Sequence, residues 1–218
     1  MNNSGIINVF QPGLVRGEEV SAYAKKIGYG VKKYFYVESP TENWRVFIRA
    51  CCFIHIKSKN FDASKFIVVK STGANPDTKS WEPPKGQTEG KDGLRNPKDS
   101  LLTILKENIK REVFEEAKID SYALKNLKHT SLVLQSTEKE YPENTYFQYH
   151  IFNAVIDEAE YDKAKARFDW YKEHPKAWNR LRIDKREKDD ITLFDPIKTK
   201  MMGRWSPSIV ALYLHNIK

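Results

Sequence analysis

The sequence contains few cysteines and no long apolar run. Only Cys51 and Cys52 occur among the 218 residues, and they are neighbours in the chain. Adjacent cysteines pair with each other only through strained geometry, so both are predicted to be buried thiols in a reducing compartment. No stretch approaches the roughly eighteen apolar residues of a membrane-spanning helix, and the first residues lack the pattern of a signal peptide. We therefore expect a cytoplasmic or nuclear protein without a membrane partner.

Acidic residues are the minority among the charged ones, with 29 Asp and Glu against 37 Lys and Arg and a formal net charge of +8. This surplus attracts phosphate-bearing partners such as RNA or a nucleotide, although a basic solvated surface without a dedicated ligand has the same composition. The length suffices for one large domain with its own core. We expect a single catalytic domain over 1–218, with an N-terminal extension at 1–43 and a basic helical insertion at 158–190.

Apolar periodicity predicts a chain that combines strands and helices. The predicted strands lie at 44–56, 66–69, 130–137, 145–156 and 191–194, and the predicted helices at 96–118, 158–171 and 206–217. Asn96 is a candidate cap for the first helix, with Pro97 at its first position. Residues 71–97 are rich in Gly, Pro, Asn, Asp and Lys and are predicted to form a long loop. The order predicts an α/β or α+β sandwich with a mixed sheet between helices.

Three glutamates are crowded on the first helix. Glu112, Glu115 and Glu116 follow i, i+3 and i+4 spacing, so their carboxylates project from neighbouring positions of one face and repel each other. A solvated acidic face is the ordinary explanation of such a cluster. A hard divalent cation, which prefers several oxygen ligands, is the alternative that offsets the repulsion. The spacing thus makes these residues candidate metal ligands.

The surroundings of these glutamates resemble the Nudix box. The helix carries the run Arg111-Glu112-Val113-Phe114-Glu115-Glu116-Ala117-Lys118-Ile119, and the loop before it carries Trp81-Glu82-Pro83-Pro84-Lys85-Gly86. Two features depart from the family. The spacing from Gly86 to the box arginine is longer than in the family, although Asp92 keeps a carboxylate in the loop. Lys118 replaces the Gly that ends the helix in a left-handed conformation, so we expect a frayed or differently closed helix end.

The resemblance implies a Nudix-like α/β/α sandwich and a hydrolase that uses Mg²⁺ or Mn²⁺. Glu112, Glu115 and Glu116 would be metal ligands together with the carbonyl of Gly86, and Arg111 would orient a box carboxylate. Lys85 would reach a substrate phosphate. The general base comes from the box, as Glu112 or Glu115, or from a distal loop. The candidates for a distal carboxylate are Glu140 and Glu143, with Glu138, Asp189 and Asp190 as further choices.

The substrate is a nucleoside diphosphate-linked molecule in this interpretation, because the Pro-Pro-Lys-Gly opening is similar to those of mRNA-decapping and diadenosine tetraphosphate (Ap4A) hydrolases of the Nudix family. The segment 163–188 carries ten Lys or Arg interleaved with Phe168, Trp170, Tyr171 and Trp178. Cations and stacking rings suit the binding of single-stranded RNA. The candidate RNA contacts are the cations Arg180, Arg182, Lys185 and Arg186. An amphipathic helix with packed rings and solvated lysines would have the same composition.

RNA 5′-cap removal is therefore the leading hypothesis. The alternatives are Ap4A-type hydrolysis, hydrolysis of another nucleoside-diphosphate derivative or a diphosphoinositol compound, and an RNA-binding Nudix protein without turnover. His150 lies on a predicted strand, and a single strand histidine is more often packed or hydrogen-bonded than catalytic. The sequence does not determine the oligomeric state.

Overall fold

The structure, a computed structural model, describes residues 34–39, 44–59, 61–95, 99–137 and 141–217. Most of the predicted N-terminal extension lies outside this set, as do the predicted cap Asn96 with Pro97 and the candidate carboxylates Glu138 and Glu140. Of the helices in the described ranges, none has the length and apolar character needed to cross a membrane.

Eight strands occur in the described residues. They are β1 (Tyr36–Ser39), β2 (Trp44–Ile56), β3 (Ile67–Ser71), β4 (Trp81–Glu82), β5 (Lys85–Gln87), β6 (Lys125–Ser136), β7 (Thr145–Ile156) and β8 (Lys188–Leu193). Strands β2 and β7 are rich in β-branched and aromatic residues, which favour the extended pleated backbone. Their bounds agree with those predicted, and the hairpin predicted from the third and fourth runs is present as the neighbours β6 and β7.

Five α-helices accompany these strands in the same part of the chain. They are α1 (Gly90–Arg95), α2 (Leu101–Ala117), α3 (Glu158–Glu173), α4 (Pro175–Arg180) and α5 (Pro207–Asn216), with 3₁₀ turns at Ser121–Ala123, Ile183–Arg186 and Gly203–Trp205. Proline occupies the first turn of α4 and of α5, where its missing N–H has no helical partner to lose. The predicted helix 158–171 thus continues to Glu173, and a second short helix follows it.

The prediction of an uninterrupted loop over 71–97 is wrong. Strands β4 and β5 and helix α1 lie within it. The two strands are only two and three residues long, and their formation depends on pairing with distant partners rather than on local pattern. Asp92 accepts a hydrogen bond from the Glu89 N–H at 2.9 Å and so caps the start of α1. It is a structural carboxylate in this position.

The strands form two sheets. The first has five strands in the order β1-β2-β7-β6, with β5 also pairing with β2, and the second has the order β4-β3-β8. Both β4 and β8 run antiparallel to β3, whereas an isolated bridge joins Trp81 to Met201 in parallel. The register opposes Val69 to Glu82 on one side of β3 and to Ile191 on the other. The mixed α+β class predicted from the sequence is confirmed.

The chain divides into two compact units. The described residues of the first fall within Met1–Cys51, Gly86–Ile109 and His129–Phe152. Its core contains Phe147, on whose ring the half-buried Phe47 stacks with centroids 5.2 Å apart. The guanidinium of Arg49 lies 4.4 Å from the Phe147 ring centroid and donates to the Gln87 side chain at 2.7 Å. An aromatic wall with a fixed arginine therefore organises this unit.

The second unit comprises Cys52–Lys85, Lys110–Lys128 and the described part of Asn153–Lys218. Its aromatic core centres on Phe53, which stacks on Tyr213 at 3.8 Å between centroids and meets Phe66 edge-on at 4.8 Å. The hydroxyl of Tyr213 is 2.6 Å from His55 Nε2. Burial lowers the pKa of His55, although the Lys65 carbonyl and Asp62 oppose that shift. The helix turn with the three glutamates belongs to this unit.

Candidate functional site

Helix α2 presents its carboxylates because its apolar residues are fixed in the core. Leu105, Ile109 and Val113 are fully buried, as the helical spacing predicted. Glu115 and Glu116 are also buried, and Glu112 is half-buried, so the acidic face is not a solvated one. Burying like charges side by side costs free energy unless opposite charges or hydrogen bonds compensate for it.

Arg111 compensates for two of the three charges. Its Nη2 lies 2.8 Å from Glu112 Oε1, and its Nη1 donates to Glu115 Oε2 at 2.8 Å. The planar guanidinium offers parallel donors, so one side chain fixes two carboxylates at once. The pairing of Arg111 with box carboxylates that the sequence predicted is present.

Glu116 is held by a different set of groups. Its Oε2 accepts a hydrogen bond from the backbone N–H of Lys85 at 2.8 Å, and its Oε1 lies 3.5 Å from Lys188 Nζ. Lys188 also donates to Glu82, whose Oε1 lies 3.0 Å from the ammonium of Lys85. Burial raises the pKa of Glu116. Burial opposes ionisation of Glu82 too, but Lys85 and Lys188 outweigh it and lower the pKa of that carboxyl.

Burial dominates the ionisation of Glu112. It raises the pKa of this carboxyl to about 8, and although Arg111 opposes the shift, the charges of Glu116, Glu115 and Glu187 add to it. Glu187 was not among the distal carboxylates considered from the sequence, because a surface acid between cations gives no local signal. It is exposed and makes the smallest of these contributions.

The other candidate carboxylates have different partners. Asp189 pairs with Lys70 at 2.6 Å and accepts a hydrogen bond from the Gly73 N–H, whereas Asp190 pairs with Lys172 at 3.1 Å. Glu143 is exposed in the turn before β7. Gly86 lies in β5 and belongs to the first unit, so its carbonyl stays a predicted ligand.

The side chains of the glutamate cluster have the donor atoms that a divalent cation prefers. No group of three or more His, Cys, Asp or Glu side chains in the described ranges has an arrangement that could hold a metal ion. Glu112, Glu115 and Glu116 nevertheless supply the hard oxygen donors that Mg²⁺ and Mn²⁺ prefer, and their present partners are cations of the chain itself. Burial is the main cause of the raised pKa of Glu112, and the charges of the neighbouring carboxylates add to it, so a bound cation would favour the ionised form.

The helix ends in an unusual way at Lys118. This residue has φ +60°, the left-handed conformation that glycine adopts freely and that costs another residue about 1 kcal/mol. Its ammonium donates to the carbonyls of Glu115 and Lys185, the second at 2.6 Å. The expectation of a differently closed helix end is confirmed, because the lysine side chain turns back to cap its own helix.

The basic segment predicted to contact RNA is partly packed. Phe168 is buried, and of the four rings Trp170 alone is exposed, stacked on His174 with centroids 4.3 Å apart. Tyr171 and Trp178 meet edge-on at 5.4 Å and are half-buried. The rings therefore serve mainly to pack helices α3 and α4.

The four predicted RNA contacts differ in their surroundings. Arg180 and Arg182 are exposed, and Arg182 pairs with Asp184 at 2.8 Å. Lys185 and Arg186 are half-buried, with the Lys185 ammonium 5.4 Å from the Phe114 ring centroid on helix α2. Lys185 thus lies beside helix α2, the box helix, and no sequence pattern indicated this position.

His150 has the packed environment expected for it. It is fully buried, and its Nδ1 lies 3.3 Å from His129 Nε2. Burial lowers the pKa of His150 to about 3, and the nearby charge of His129 contributes to the shift. A neutral, buried imidazole of this kind is a core residue of the first unit.

Comparison with known proteins gives matches among solved structures. No family model matches the sequence, and no curated protein matches it. An Ap4A hydrolase of C. elegans aligns with 78% of this chain and 97% of its own, at 15% identity and a TM-score of 0.42. A NUDIX hydrolase from Nitrosomonas europaea covers 78% and 87% at 14% identity and TM-score 0.37. An ADP-ribose pyrophosphatase from Streptococcus suis covers 79% and 92% at 13% identity and TM-score 0.37.

At such identities and TM-scores, function has to be inferred from the side chains of the chain itself.

Proposed function

We propose that this chain is a Nudix-type hydrolase that uses Mg²⁺ or Mn²⁺ to cleave a phosphoanhydride bond in a nucleoside diphosphate-linked substrate. The observation that carries the proposal is the cluster of Glu112, Glu115 and Glu116 on one turn of helix α2, largely withdrawn from solvent. A fold gains little stability from such a cluster, because desolvation opposes every charge in it. The binding of a divalent cation that also binds phosphate oxygens would explain why these carboxylates are grouped.

The residues of the site have distinct roles in this mechanism. Glu112, Glu115 and Glu116 would hold the cation, which when bound neutralises phosphate charge and lowers the pKa of water. Arg111 orients Glu112 and Glu115 through its two donors.

Two further side chains act on the substrate and the water in this proposal. Burial raises the pKa of Glu112 to about 8, which suits a group that accepts a proton from the attacking water. Lys85, half-buried and paired with Glu82, is the cation proposed to contact a substrate phosphate.

For the substrate we propose the 5′ cap of RNA, with a capped nucleoside diphosphate and 5′-monophosphate RNA as products. The support is the cationic segment 163–188, whose Arg180 and Arg182 are exposed and whose Trp170 offers a ring for base stacking. The position of Lys185 beside helix α2 brings this segment to the proposed site.

A dinucleoside polyphosphate of the Ap4A type is the second candidate, and a specific observation favours it. Most rings of the basic segment are packed inside the second unit, so few remain to bind an RNA body. A small dinucleotide requires no such path. Other nucleoside-diphosphate derivatives and diphosphoinositol compounds use the same chemistry. An RNA-binding protein without turnover would have no use for the buried glutamates.

A panel of substrates tests both the metal-dependent hydrolysis and the choice of substrate. The full chain is assayed with capped RNA, free cap analogue, diadenosine tetraphosphate, ADP-ribose and a diphosphoinositol, each with Mg²⁺, with Mn²⁺ and with chelator. We expect metal-dependent hydrolysis, with capped RNA preferred at least tenfold in kcat/KM over the free cap analogue. Preference for the dinucleotide would assign the second candidate, and equal rates with chelator would contradict the metal mechanism.

A further inference from the structure

Lys118 occupies the position at which the box helix ends, in a backbone conformation that glycine adopts without strain. Its φ is +60°, and its N–H still donates to the Phe114 carbonyl at 3.2 Å, which completes the last turn. The backbone therefore needs no lysine there. The side chain must contribute something that glycine would not, because the strain of the left-handed conformation has to be offset.

The ammonium of Lys118 lies in a closed environment formed by four other residues. It donates to the carbonyl of Glu115 and, at 2.6 Å, to that of Lys185. The rings of Phe168 and Trp178 face it, with centroids 5.4 Å and 5.7 Å from Nζ. Only 7% of the residue is exposed. Burial lowers the pKa of the Lys118 ammonium to about 8, and its two carbonyl acceptors and two aromatic faces compensate for part of the lost hydration. These contacts join helix α2 to the 3₁₀ turn Ile183–Arg186.

The segment that follows Lys185 contacts the buried carboxylates through Lys188. Lys188 lies 3.5 Å from Glu116 and pairs with Glu82. Between them, the carbonyls of Arg186 and Glu187 accept hydrogen bonds from the hydroxyl and the N–H of Thr72. The segment 185–188 is thus anchored at its start by Lys118 and at its end by the buried charge network, and it carries Glu187 between these anchors.

We propose that Lys118 is a positioning residue that holds the segment 185–188 against the glutamates of helix α2. The proposal rests on the proposed function, because what is positioned is the wall of the hydrolytic site. Lys118 touches neither substrate nor cation. It acts through Lys185, and the consequence is a fixed placement of Glu187 and Lys188 next to the cluster.

Three substitutions of Lys118 separate the contribution of its ammonium from those of its apolar stem and its backbone conformation. Lys118→Met keeps the apolar stem but leaves two carbonyls without their donor, and Lys118→Arg keeps a charged donor. Lys118→Gly relieves the strain at φ +60° while removing the same two hydrogen bonds as Lys118→Met. Lys125→Met is the matched control, because Lys125 is exposed and pairs with the exposed carboxylate of Asp157.

Hydrogen exchange of the full chain measures the anchor without requiring activity. In Lys118→Met and Lys118→Gly, the amides of 183–187 should exchange about tenfold faster, since a lost charged hydrogen bond changes a local equilibrium by about that factor. Lys118→Arg and Lys125→Met should exchange like the parent chain. Unchanged exchange at 183–187 in both Lys118→Met and Lys118→Gly would overturn the proposal.

Kinetics then measure what the anchor does for the site. Lys118→Met should lower kcat about tenfold with KM for the best panel substrate within twofold, and Lys118→Arg should restore most of it. Combined with Glu187→Gln, Lys118→Met should lower kcat less than the product of the two single effects, because both act through one segment. Fully multiplicative effects would contradict action through that segment.

The two proposals fail in different ways. A parent chain that hydrolyses nothing in the panel, while exchange at 183–187 still rises in Lys118→Met, contradicts the hydrolase and leaves the anchor standing. An active parent chain whose exchange and kcat are untouched by Lys118→Met contradicts the anchor alone.

Discussion

Helices α2 and α3 carry similar charge pairs in opposite environments. On α2, Arg111 contacts Glu115 one turn later, with side-chain exposures of 26% and 11%. On α3, Lys163 contacts Glu160 at 2.7 Å, and 60% of the lysine side chain is exposed. One pair is Arg–Glu at i, i+4 and the other is Glu–Lys at i, i+3, and the sequence distinguishes the first only through the glutamate cluster and the resemblance to the Nudix box.

Burial makes the difference. An exposed pair gains little, because water screens the attraction and two long side chains lose freedom. A buried pair has lost its hydration, so its partners depend on each other, and removing one leaves a charge without compensation. Buried charge that adds so little net stability is a sign of function, whereas the pairs on α3 solubilise a helix. Four sets of substitutions test this comparison.

The largest effect is expected for Lys188→Met. It removes the cation shared by Glu82 and Glu116 in a buried network, so the free energy of unfolding should fall by about 3–5 kcal/mol. Denaturant titration of the metal-free chain measures the change. The double variant Lys188→Met, Glu82→Gln should recover part of the loss, because it removes a positive and a negative charge together. A change below about 1 kcal/mol would mean that this network is as solvated as the pairs on α3.

Substitution of the box carboxylates is expected to affect turnover rather than folding. Glu115→Gln and Glu116→Gln should each lower kcat more than tenfold at saturating Mg²⁺, because each removes a charged ligand from the proposed cation. Stability should hold or rise, since repulsion within the cluster decreases. Glu107→Gln provides the control, because Glu107 is exposed on the same helix. Parent-like rates in both variants would show that these carboxylates hold no catalytic cation.

Neutralising the cations of the basic segment is expected to affect one substrate class only. The variant changes Arg180, Arg182, Lys185 and Arg186 to Gln. Capped-RNA binding should weaken and lose about two units of its log–log salt slope, because Arg182 and Lys185 already have partners within the chain. Hydrolysis of free cap analogue should stay within about twofold, since its small phosphate chain makes few of these contacts.

A control with the same loss of charge keeps this test specific. It changes the exposed Lys57, Lys59, Lys65 and Lys198 to Gln. If both four-fold variants reduce RNA binding equally, the attraction is a property of net charge, and the main support for decapping disappears.

The smallest effect is expected for the exposed pair on α3. Lys163→Met should change the free energy of unfolding by less than about 0.5 kcal/mol and leave turnover unchanged. The same denaturant titration that detects Lys188→Met measures it. A loss approaching that of Lys188→Met would remove the contrast between buried and exposed charge.

Local patterns predicted much of the fold. Strands β2 and β7 could be placed to the residue, because β-branched and aromatic residues predominate in them and polar residues flank them in the sequence. Helix α1 was missed, since its six residues have no apolar stripe and include the glycines Gly90 and Gly93, which disfavour a helix. Strand β8 begins at Lys188 rather than at 191, because its first residues are charged and are held by pairing with β3.

The same distinction holds for the site. The resemblance to the Nudix box implied that Arg111 pairs with a box carboxylate, and the i, i+4 spacing from Arg111 to Glu115 brings that pair together on the helix. The pairing of Glu82 with Lys188 joins residues 106 positions apart, and no local pattern reports a contact of that kind. Glu187 was missed for this reason as well, since its importance derives only from its proximity to the box helix.

The neighbouring thiols of β2 offer a built-in probe of opening. Cys51 and Cys52 are both fully buried, and the alternation of a strand directs them to opposite faces. Burial also raises the pKa of Cys52, so little reactive thiolate forms even at alkaline pH. Cys51 belongs to the first unit and Cys52 to the second. An alkylating reagent will therefore record, at adjacent positions of one peptide, how often each unit exposes its interior.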